Sequence, residues 1–338
     1  MKIYCILFDA CPRHSKIEEK FKSKNIHYGD LITNSWTGTS LLSLFTGITP
    51  SELYPTGIGY ENPYRYILTK DQQKEWNSKI LINQLPKDWN IHIHAIPETR
   101  GDTSTFRFVP DEIFGVNSRY NYYNYKTHNE VEFLKQMQHL PSEKNHFIFI
   151  KYNHYHDAIK ASKEIRPEPI NNFTRIIDSI NFKEKNSLFW LFSDHGNWHN
   201  IDKYMTPPDS WLSWVSITDN IRSKIINKKL FLISDFYDTV TNIIHTKSLP
   251  NDVTFEFDPN RIYVVEDGRS NINERKSTSV SCIKYLEEDL IHQLVYHSPT
   301  KEIKEIIYNI KNKSINSTSP NPKLLEHLKN GIWSWYFK

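Results

Sequence analysis

Residues Lys2–Phe8, KIYCILF, followed at once by Asp9, decide how this chain folds. After Lys2, six apolar or strand-forming residues end on an acidic one, with Pro12 three residues later. A short run without polar alternation is the pattern of a strand buried on both faces, as in the centre of a parallel sheet. Two later segments repeat it: FIFIK, in the strand predicted over 146–151, and SLFWLF at 187–192. Between them lie helical patterns, at 15–24 with Ile17 and Phe21 four apart, at 128–140 with Val131, Phe133, Leu134 and Met137, and at 170–180. Further strands are expected at 27–33, 90–96 and 212–217, and further helices at 39–45, 72–85 and 234–245. Strand and helix alternate over the first ~250 residues, which predicts an α/β fold with a mostly parallel central sheet and helices on both faces.

Beyond Pro250 the pattern changes. Segments 261–265, 279–285 and 290–297 read as consecutive short strands, and 302–311 and 323–329 as helices. The expectation is a small α+β C-terminal subdomain over 251–338, packed on a catalytic domain over 1–250. Two stretches, 100–126 and 312–322, look poorly structured. The strip RYNYYNYK at 119–126 could stack bases or sugars, but reads more readily as an insertion packed over the domain. Trp333, Trp335, Tyr336 and Phe337 either dock back onto the chain or meet a second copy in a homo-oligomer.

Composition excludes several classes. With 42 basic and 39 acidic residues the net charge is +3, so no dedicated nucleic-acid surface is expected. No stretch reaches the ~20 apolar residues of a spanning helix, and no membrane anchor or signal peptide is visible. Cytoplasmic localisation is the expectation. Ten glycines and no Walker A or GxGxxG pattern argue against a nucleotide-binding loop. Cys5, Cys11 and Cys282 show no CxxC spacing, which argues against a zinc knuckle or a disulfide framework.

Ligands bind open α/β sheets at the carboxyl ends of the strands. Three such ends carry polar residues: Asp9; Asp194-His195-Gly196; and His154-Tyr155-His156-Asp157. Trp36-Thr37-Gly38-Thr39-Ser40 opens a helix, whose amino end can cradle an anion. Asp9, Asp194 and His195 suit Mn, Mg or Zn, with Ca a further candidate. A threonine beside such a divalent metal can act as a nucleophile. Asp9 equally suits a helix cap, and so does Thr37. Fifteen histidines make chance clustering easy, so His154, His156 and His199 stand at even odds of lying in the pocket. Arg13 and Lys151 could meet an anion, or be ordinary surface charges.

Read together, these segments resemble the alkaline phosphatase/sulfatase superfamily. ILFDACPRHS is similar to its opening strand with a metal-binding aspartate. TGTSLLSLFTGITP resembles its nucleophile motif C/S/T-x-P-S-x-x-x-L-x-T-G-x-x-P, with Thr37 at the nucleophile and Ser40, Leu44, Thr46, Gly47 and Pro50 in register. SDHG at 193–196 matches the later metal pair, and ISDFYDTV at 233–240 resembles a D-l-x-P-T helix start with Asp238 where proline is usual. The chain departs from sulfatases at Ala10, where they have a second aspartate, and at Thr37, Thr39 and Leu41, where they have Cys or Ser, Pro and Arg. Threonine cannot become formylglycine. The resemblance therefore implies the threonine branch, with its phosphoglycerol and phosphoethanolamine transferases and phosphodiesterases. Implied in turn are Thr37 as catalytic nucleophile, Asp9, Asp194 and His195 as metal ligands, and His154, His156, His199, Arg13 and Lys151 around the substrate. The substrate would be a small-molecule or glycan phosphate ester, ahead of a sulfate ester. A degenerate, non-catalytic member that binds an anionic glycan or a partner is the alternative, and a true sulfatase ranks third.

Overall fold

A computed structural model of the chain describes residues 1–33, 37–47, 79–95, 120–124, 129–153, 167–196, 212–220, 230–246, 262–270, 277–287, 290–297, 302–309, 311–312, 314–323 and 325–326. The opening strand β1 (Lys2–Phe8) is buried along its whole length. It pairs in parallel with β5 (Asn145–Tyr152) on one side and β6 (Ser187–Phe192) on the other. These are the three apolar runs read from the sequence. Around them an eight-stranded sheet forms in the order β4-β3-β5-β1-β6-β7-β2-β8. Its remaining members are β2 (Gly29–Ile32), β3 (Trp89–Ala95), β4 (Tyr120–Asn124), β7 (Leu212–Asp219) and β8 (Leu230–Leu232). Every strand runs the same way except β7, which is antiparallel to both neighbours.

Period-two alternation sends successive side chains to opposite faces. Ile3, Cys5 and Leu7, with Phe147, Phe149, Leu188, Trp190 and Phe192, build one core. Helices α2 (Thr37–Thr46), α3 (Leu81–Gln84) and α6 (Asp235–Thr246) cover that face through Leu41, Leu44, Phe45, Leu81, Phe236, Val240 and Ile243. Tyr4, Ile6 and Phe8 point the other way, towards α1 (Ser15–Ser23), α4 (Glu130–Gln138) and α5 (Pro167–Ser179). Two of these helices start on polar caps: His14 Nδ1 accepts from the Lys16 amide, and Asn129 Oδ1 from those of Val131 and Glu132. At the amino end of β1, Lys2 is buried. Its ammonium donates to the Met137 and Gln138 carbonyls at the end of α4 and pairs with Glu184 at 2.6 Å. The negative end of a helix and a carboxylate compensate that buried charge.

A second sheet of five strands, all antiparallel, follows in the order β13-β12-β11-β10-β9. It comprises β9 (Ile262–Ser270), β10 (Ser277–Glu287), β11 (Leu290–His297), β12 (Glu302–Asn309) and β13 (Ile315–Thr318). The helix expected over 302–311 is thus a strand. Ile303, Ile306 and Ile307 mimic a helical stripe, but cross-strand pairing with β11 overrides it. The stretch 312–322, expected to be poorly structured, contains β13. Asn309 Oδ1 accepts from the Lys311 and Asn312 amides, and Asn312 Oδ1 from Ser314, so the polar residues build a hairpin turn. Of the aromatic strip at 119–126 the described residues, Tyr120–Asn124, form a parallel edge strand, and Tyr123 packs on Phe133 with ring centroids 4.7 Å apart. Strand β8 had no counterpart in the sequence reading, and of the helix expected over 72–85 the residues 72–78 lie outside the described ones.

Strand β3 carries two buried histidines, His92 and His94. His146 Nε2 lies 3.2 Å from the Pro141 carbonyl and so carries a proton, which leaves His146 Nδ1 to accept from His92 Nε2 at 3.2 Å. Burial, with a smaller contribution from His146, pushes His92 down to about 4. An unfolded histidine takes up its proton near ~6.5, whereas the folded chain refuses it until about 4. Stability should therefore fall as pH drops through that window, by an amount on the order of 1–3 kcal/mol. Thermal melts from pH 7 to 4.5 should show His92→Gln losing less stability than the wild type. Equal losses would show that His92 does not couple folding to pH.

Candidate metal and ester-transfer site

The same alternation that builds the first core continues past the ends of the strands. Asp9 follows Leu7 in parity, Lys151 follows Phe149, and Asp194 follows Phe192, so all three rise on the face that α2 and α6 cover. The Asp9 amide extends the ladder by one bond, donating to the Tyr152 carbonyl at 2.9 Å. At Ala10 the backbone turns into the left-handed region, with φ 56°. There its amide donates to Asp194 Oδ1 at 3.0 Å. A non-glycine residue in this region costs roughly 1 kcal/mol, a strain that places a donor on a buried carboxylate.

Asp9, Asp194 and His195 are all buried, and one ligand atom from each lies within 4.8 Å of the others. His195 Nε2 stands 3.6 Å from Asp9 Oδ1 and 3.8 Å from Asp194 Oδ2. His195 Nδ1 lies 2.9 Å from the Gly196 carbonyl. A carbonyl only accepts, so Nδ1 carries a proton, and Nε2 is the ring nitrogen turned towards the two carboxylates. Two carboxylate oxygens and a ring nitrogen grouped at this range could hold a metal ion between them. Tetrahedral ligands on bonds of ~2.0–2.2 Å stand about 3.3–3.6 Å apart, so a small inward shift would complete a metal's coordination. The oxygen and nitrogen donors suit Zn, Mn or Mg. The residues present fit a divalent metal.

Other side chains fix this cluster. Lys151 Nζ pairs with Asp9 Oδ2 at 2.8 Å, both side chains buried. Ser193 Oγ donates to the His195 carbonyl at 2.7 Å and shapes the turn. Trp214, on the antiparallel strand, donates through Nε1 to the Cys11 carbonyl at 3.1 Å and holds the loop after Asp9. Sequence reasoning missed Ser193 and Trp214, because single hydrogen bonds to distant carbonyls leave no local pattern.

Helix α2 is docked onto the same point. Ser40 Oγ donates to the Asp194 carbonyl at 2.7 Å, deep in the core. Thr37, the first residue of α2, stands one turn before Ser40, so the docking brings the amino end of the helix to the cluster. The other end is fixed by Gly47. Its amide closes the helix on the Ser43 carbonyl, and its φ of +69° is one that glycine adopts without strain. A Cβ there would come within 2.5 Å of the Tyr237 ring. Tyr237 belongs to the 233–240 segment, so two of the motifs picked out in the sequence pack against each other. Asp235 and Thr239 of that segment build its helix start: Asp235 Oδ2 accepts from the Leu232 amide, and Thr239 Oγ1 donates to the Asp235 carbonyl.

The structure thus gathers Asp9, Asp194, His195 and Lys151, with Thr37 at the head of the docked helix. Arg13 pairs with Asp30 at 2.7 Å and donates to the Tyr308 hydroxyl at 3.0 Å, linking the loop after β1 to the second sheet. His154, His156 and His199 lie outside the described residues.

Among solved structures, the chain is similar to a protein in the alkaline phosphatase superfamily from Vibrio parahaemolyticus. Identity is 10%, the TM-score is 0.53, and the match covers 99% of this chain and 87% of that one. This chain has the alkaline phosphatase fold. Two further structures with a likeness are also shown at 10% identity. One is the C-terminal periplasmic domain of EcEptC from Escherichia coli in complex with Zn, with a TM-score of 0.43 and coverage of 72% of this chain and 82% of that one. The other is the soluble domain of lipooligosaccharide phosphoethanolamine transferase A from Neisseria meningitidis, with a TM-score of 0.41 and coverage of 72% and 87%. No protein-family model and no curated protein matches the chain. Within the alkaline phosphatase fold as this chain builds it, the cluster sits at the carboxyl ends of the central strands, where open α/β sheets bind ligands.

Because Gly47 sets how α2 lies under Tyr237, Gly47→Ala should destabilise the protein by at least about 2 kcal/mol, from backbone strain and overlap with the ring. Denaturant unfolding of Gly47→Ala, and of Gly47→Ala with Tyr237→Ala, measures it. The double variant should recover part of the loss. A Gly47→Ala change within ~0.5 kcal/mol of wild type would show that this contact does not hold the helix.

Proposed function

We propose that the protein is a metal-dependent hydrolase or transferase of the alkaline phosphatase superfamily, acting on phosphate esters through a covalent intermediate on Thr37. The observation that carries this reading is the convergence of Asp9, Asp194 and His195 on one point to which Ser40 docks the helix headed by Thr37. The ordered motifs in the sequence and the likeness in fold support it independently. Residues 1–250 would carry the site, with 251–338 a subdomain packed on it through contacts such as that of Arg13 with Tyr308. Among the described residues no helix is long and apolar enough to cross a membrane.

Asp9, Asp194 and His195 would hold the divalent ion. Once bound, that ion lowers the pKa of a hydroxyl beside it and screens charge that develops on phosphorus. The chain's own residues do the rest. Thr37 Oγ attacks phosphorus in line, the bond from phosphorus to the leaving oxygen breaks, and the departing alcohol collects a proton. The amino end of α2 faces the anionic group with its amides. Water, or the hydroxyl of an acceptor, then attacks the phosphothreonine and restores Thr37. His154, His156, His199 and Arg13 are proposed to meet the rest of the substrate, a phosphate mono- or diester on a glycan, glycerol or nucleotide. Threonine at position 37 favours phosphoryl over sulfuryl transfer, since it cannot form the formylglycine of sulfatases.

Purified protein should be offered aryl phosphate, aryl phosphodiester and aryl sulfate with Mn, Mg or Zn, alongside Thr37→Ala and Thr37→Ser. Phosphoester turnover should fall by orders of magnitude in Thr37→Ala and partly return in Thr37→Ser. Loss of a residue in the first helical turn costs only about 1 kcal/mol, so melting should barely change. A quench followed by peptide mapping should find phosphate on Thr37. Faster sulfate turnover that Thr37→Ala abolishes would make the protein a sulfatase. Metal binding without turnover of any ester would favour a non-catalytic anion-binding role.

A further inference from the structure

Level with the two carboxylates, the sheet carries two neutral polar groups. Phe8 stands beside Tyr152, so one step further Asp9 stands beside Asn153, and the bond from the Asp9 amide to the Tyr152 carbonyl carries the pairing that far. Phe192 stands beside Val215 on the antiparallel strand, so two steps further Asp194 stands beside Ser213. Between those steps the Ser193 amide donates to the Trp214 carbonyl at 3.2 Å. Asn153, Asp9, Asp194 and Ser213 thus form a row across β5, β1, β6 and β7, four neighbours in the sheet. Parity puts the outer two on the face of the inner two: Ser213 precedes Val215 and Ile217 of the first core, and Asn153 follows Phe149 and Lys151. Asn153 is 5% exposed and Ser213 0%. Asn153 Oδ1 and Ser213 Oγ are closed off from solvent, and neither has a hydrogen-bond partner among the described residues. Other buried hydroxyls nearby are spent on the protein: Ser40 on the Asp194 carbonyl, Ser193 on that of His195, and Ser216, on the same strand as Ser213, on that of His27. A buried polar atom left unpaired is costly, and most find a partner. Here two of them bracket the carboxylates, at the end of the sheet where ligands bind.

We infer that Asn153 and Ser213 are phosphoryl-binding residues, neutral donors that take up oxygens of the transferred group when the site is loaded. This deepens the functional reading above and rests on it. The Ser213 hydroxyl donates as it stands, and the Asn153 carboxamide, turned end for end, presents Nδ2 in place of Oδ1. Being neutral, neither competes with a metal for the carboxylates, yet each can hold an oxygen of an anion. Both groups are unsatisfied in the empty protein and satisfied in the loaded one, so they cost stability in the first state and lend affinity to the second.

The test is phosphate binding on the full chain, with the metal read separately. Wild type, Ser213→Ala and Asn153→Leu are loaded with Mn, titrated with inorganic phosphate by calorimetry, and melted both empty and loaded. Each substitution should weaken phosphate by roughly three- to tenfold, the range of one hydrogen bond, while Mn affinity stays within about twofold of wild type. Empty Ser213→Ala should melt no lower than empty wild type, because the oxygen it removes has no partner to lose. Unchanged phosphate affinity in either variant overturns the inference. So does a matching loss of Mn affinity, or a lower melt of empty Ser213→Ala, since either would make these groups supports of the fold. In each of these cases the functional reading stands. A wild type that binds no phosphate when loaded with Mn sinks the functional reading and the inference together. If Asn153→Leu does not fold, as circular dichroism would reveal, Ser213→Ala decides.

Discussion

Two carboxylates buried side by side above a parallel sheet are the constraint on which the rest of this structure depends. Asp9 and Asp194 leave adjacent strands at the same level and on the same face, with almost no access to water. Burying one such charge unpaired costs several kcal/mol, and two near one another cost more. The chain meets that cost locally. An ammonium from the neighbouring strand and a backbone amide presented by a left-handed turn at Ala10 both aim at these oxygens. Such a cluster is a poor way to stabilise a fold, and an apolar core of equal volume would serve stability as well or better. Its presence marks this point of the fold as the candidate site rather than as a device for stability.

The parallel register is what makes the cluster reachable. β1, β5 and β6 begin and end together, so their first polar residues arrive at one height. Above them, α2 is held at both ends by different physics. At its amino end a serine hydroxyl meets a carbonyl of the very residue proposed to bind metal. At its carboxyl end a glycine lets the Tyr237 ring lie against the backbone. The helix is thereby positioned from the sheet and from α6 at once. The second sheet joins the same region through Arg13, whose guanidinium is shared between Asp30 and Tyr308.

Much of this was legible in the sequence because it is local and repetitive. The three central strands announce themselves as unbroken apolar runs, and each leads into a polar residue of the candidate site. Asp9, Asp194 and His195 were read as ligands from that placement, and the structure brings them together. What stayed hidden depends on distant partners. Ile303, Ile306 and Ile307 have a helical spacing, and only pairing with β11 makes them a strand. Asn309 read as part of a helix and Asn312 as a loop residue because the turn they close is visible only once β13 is paired. Lys151 was singled out as a charge near the site, but its partner Asp9 lies 142 positions away and is joined to it by strand register alone.

The central claim is that Asp9, Asp194 and His195 share one metal ion. A crystal structure of the full chain grown with Mn or Zn, with anomalous data collected on either side of the metal's absorption edge, tests it most directly. The account predicts an anomalous peak about 2.0–2.3 Å from Asp9 Oδ1, Asp194 Oδ2 and His195 Nε2 together, with Lys151 still on Asp9 Oδ2. A peak elsewhere on the chain, or a cluster that stays closed around its own hydrogen bonds at saturating metal, would contradict it.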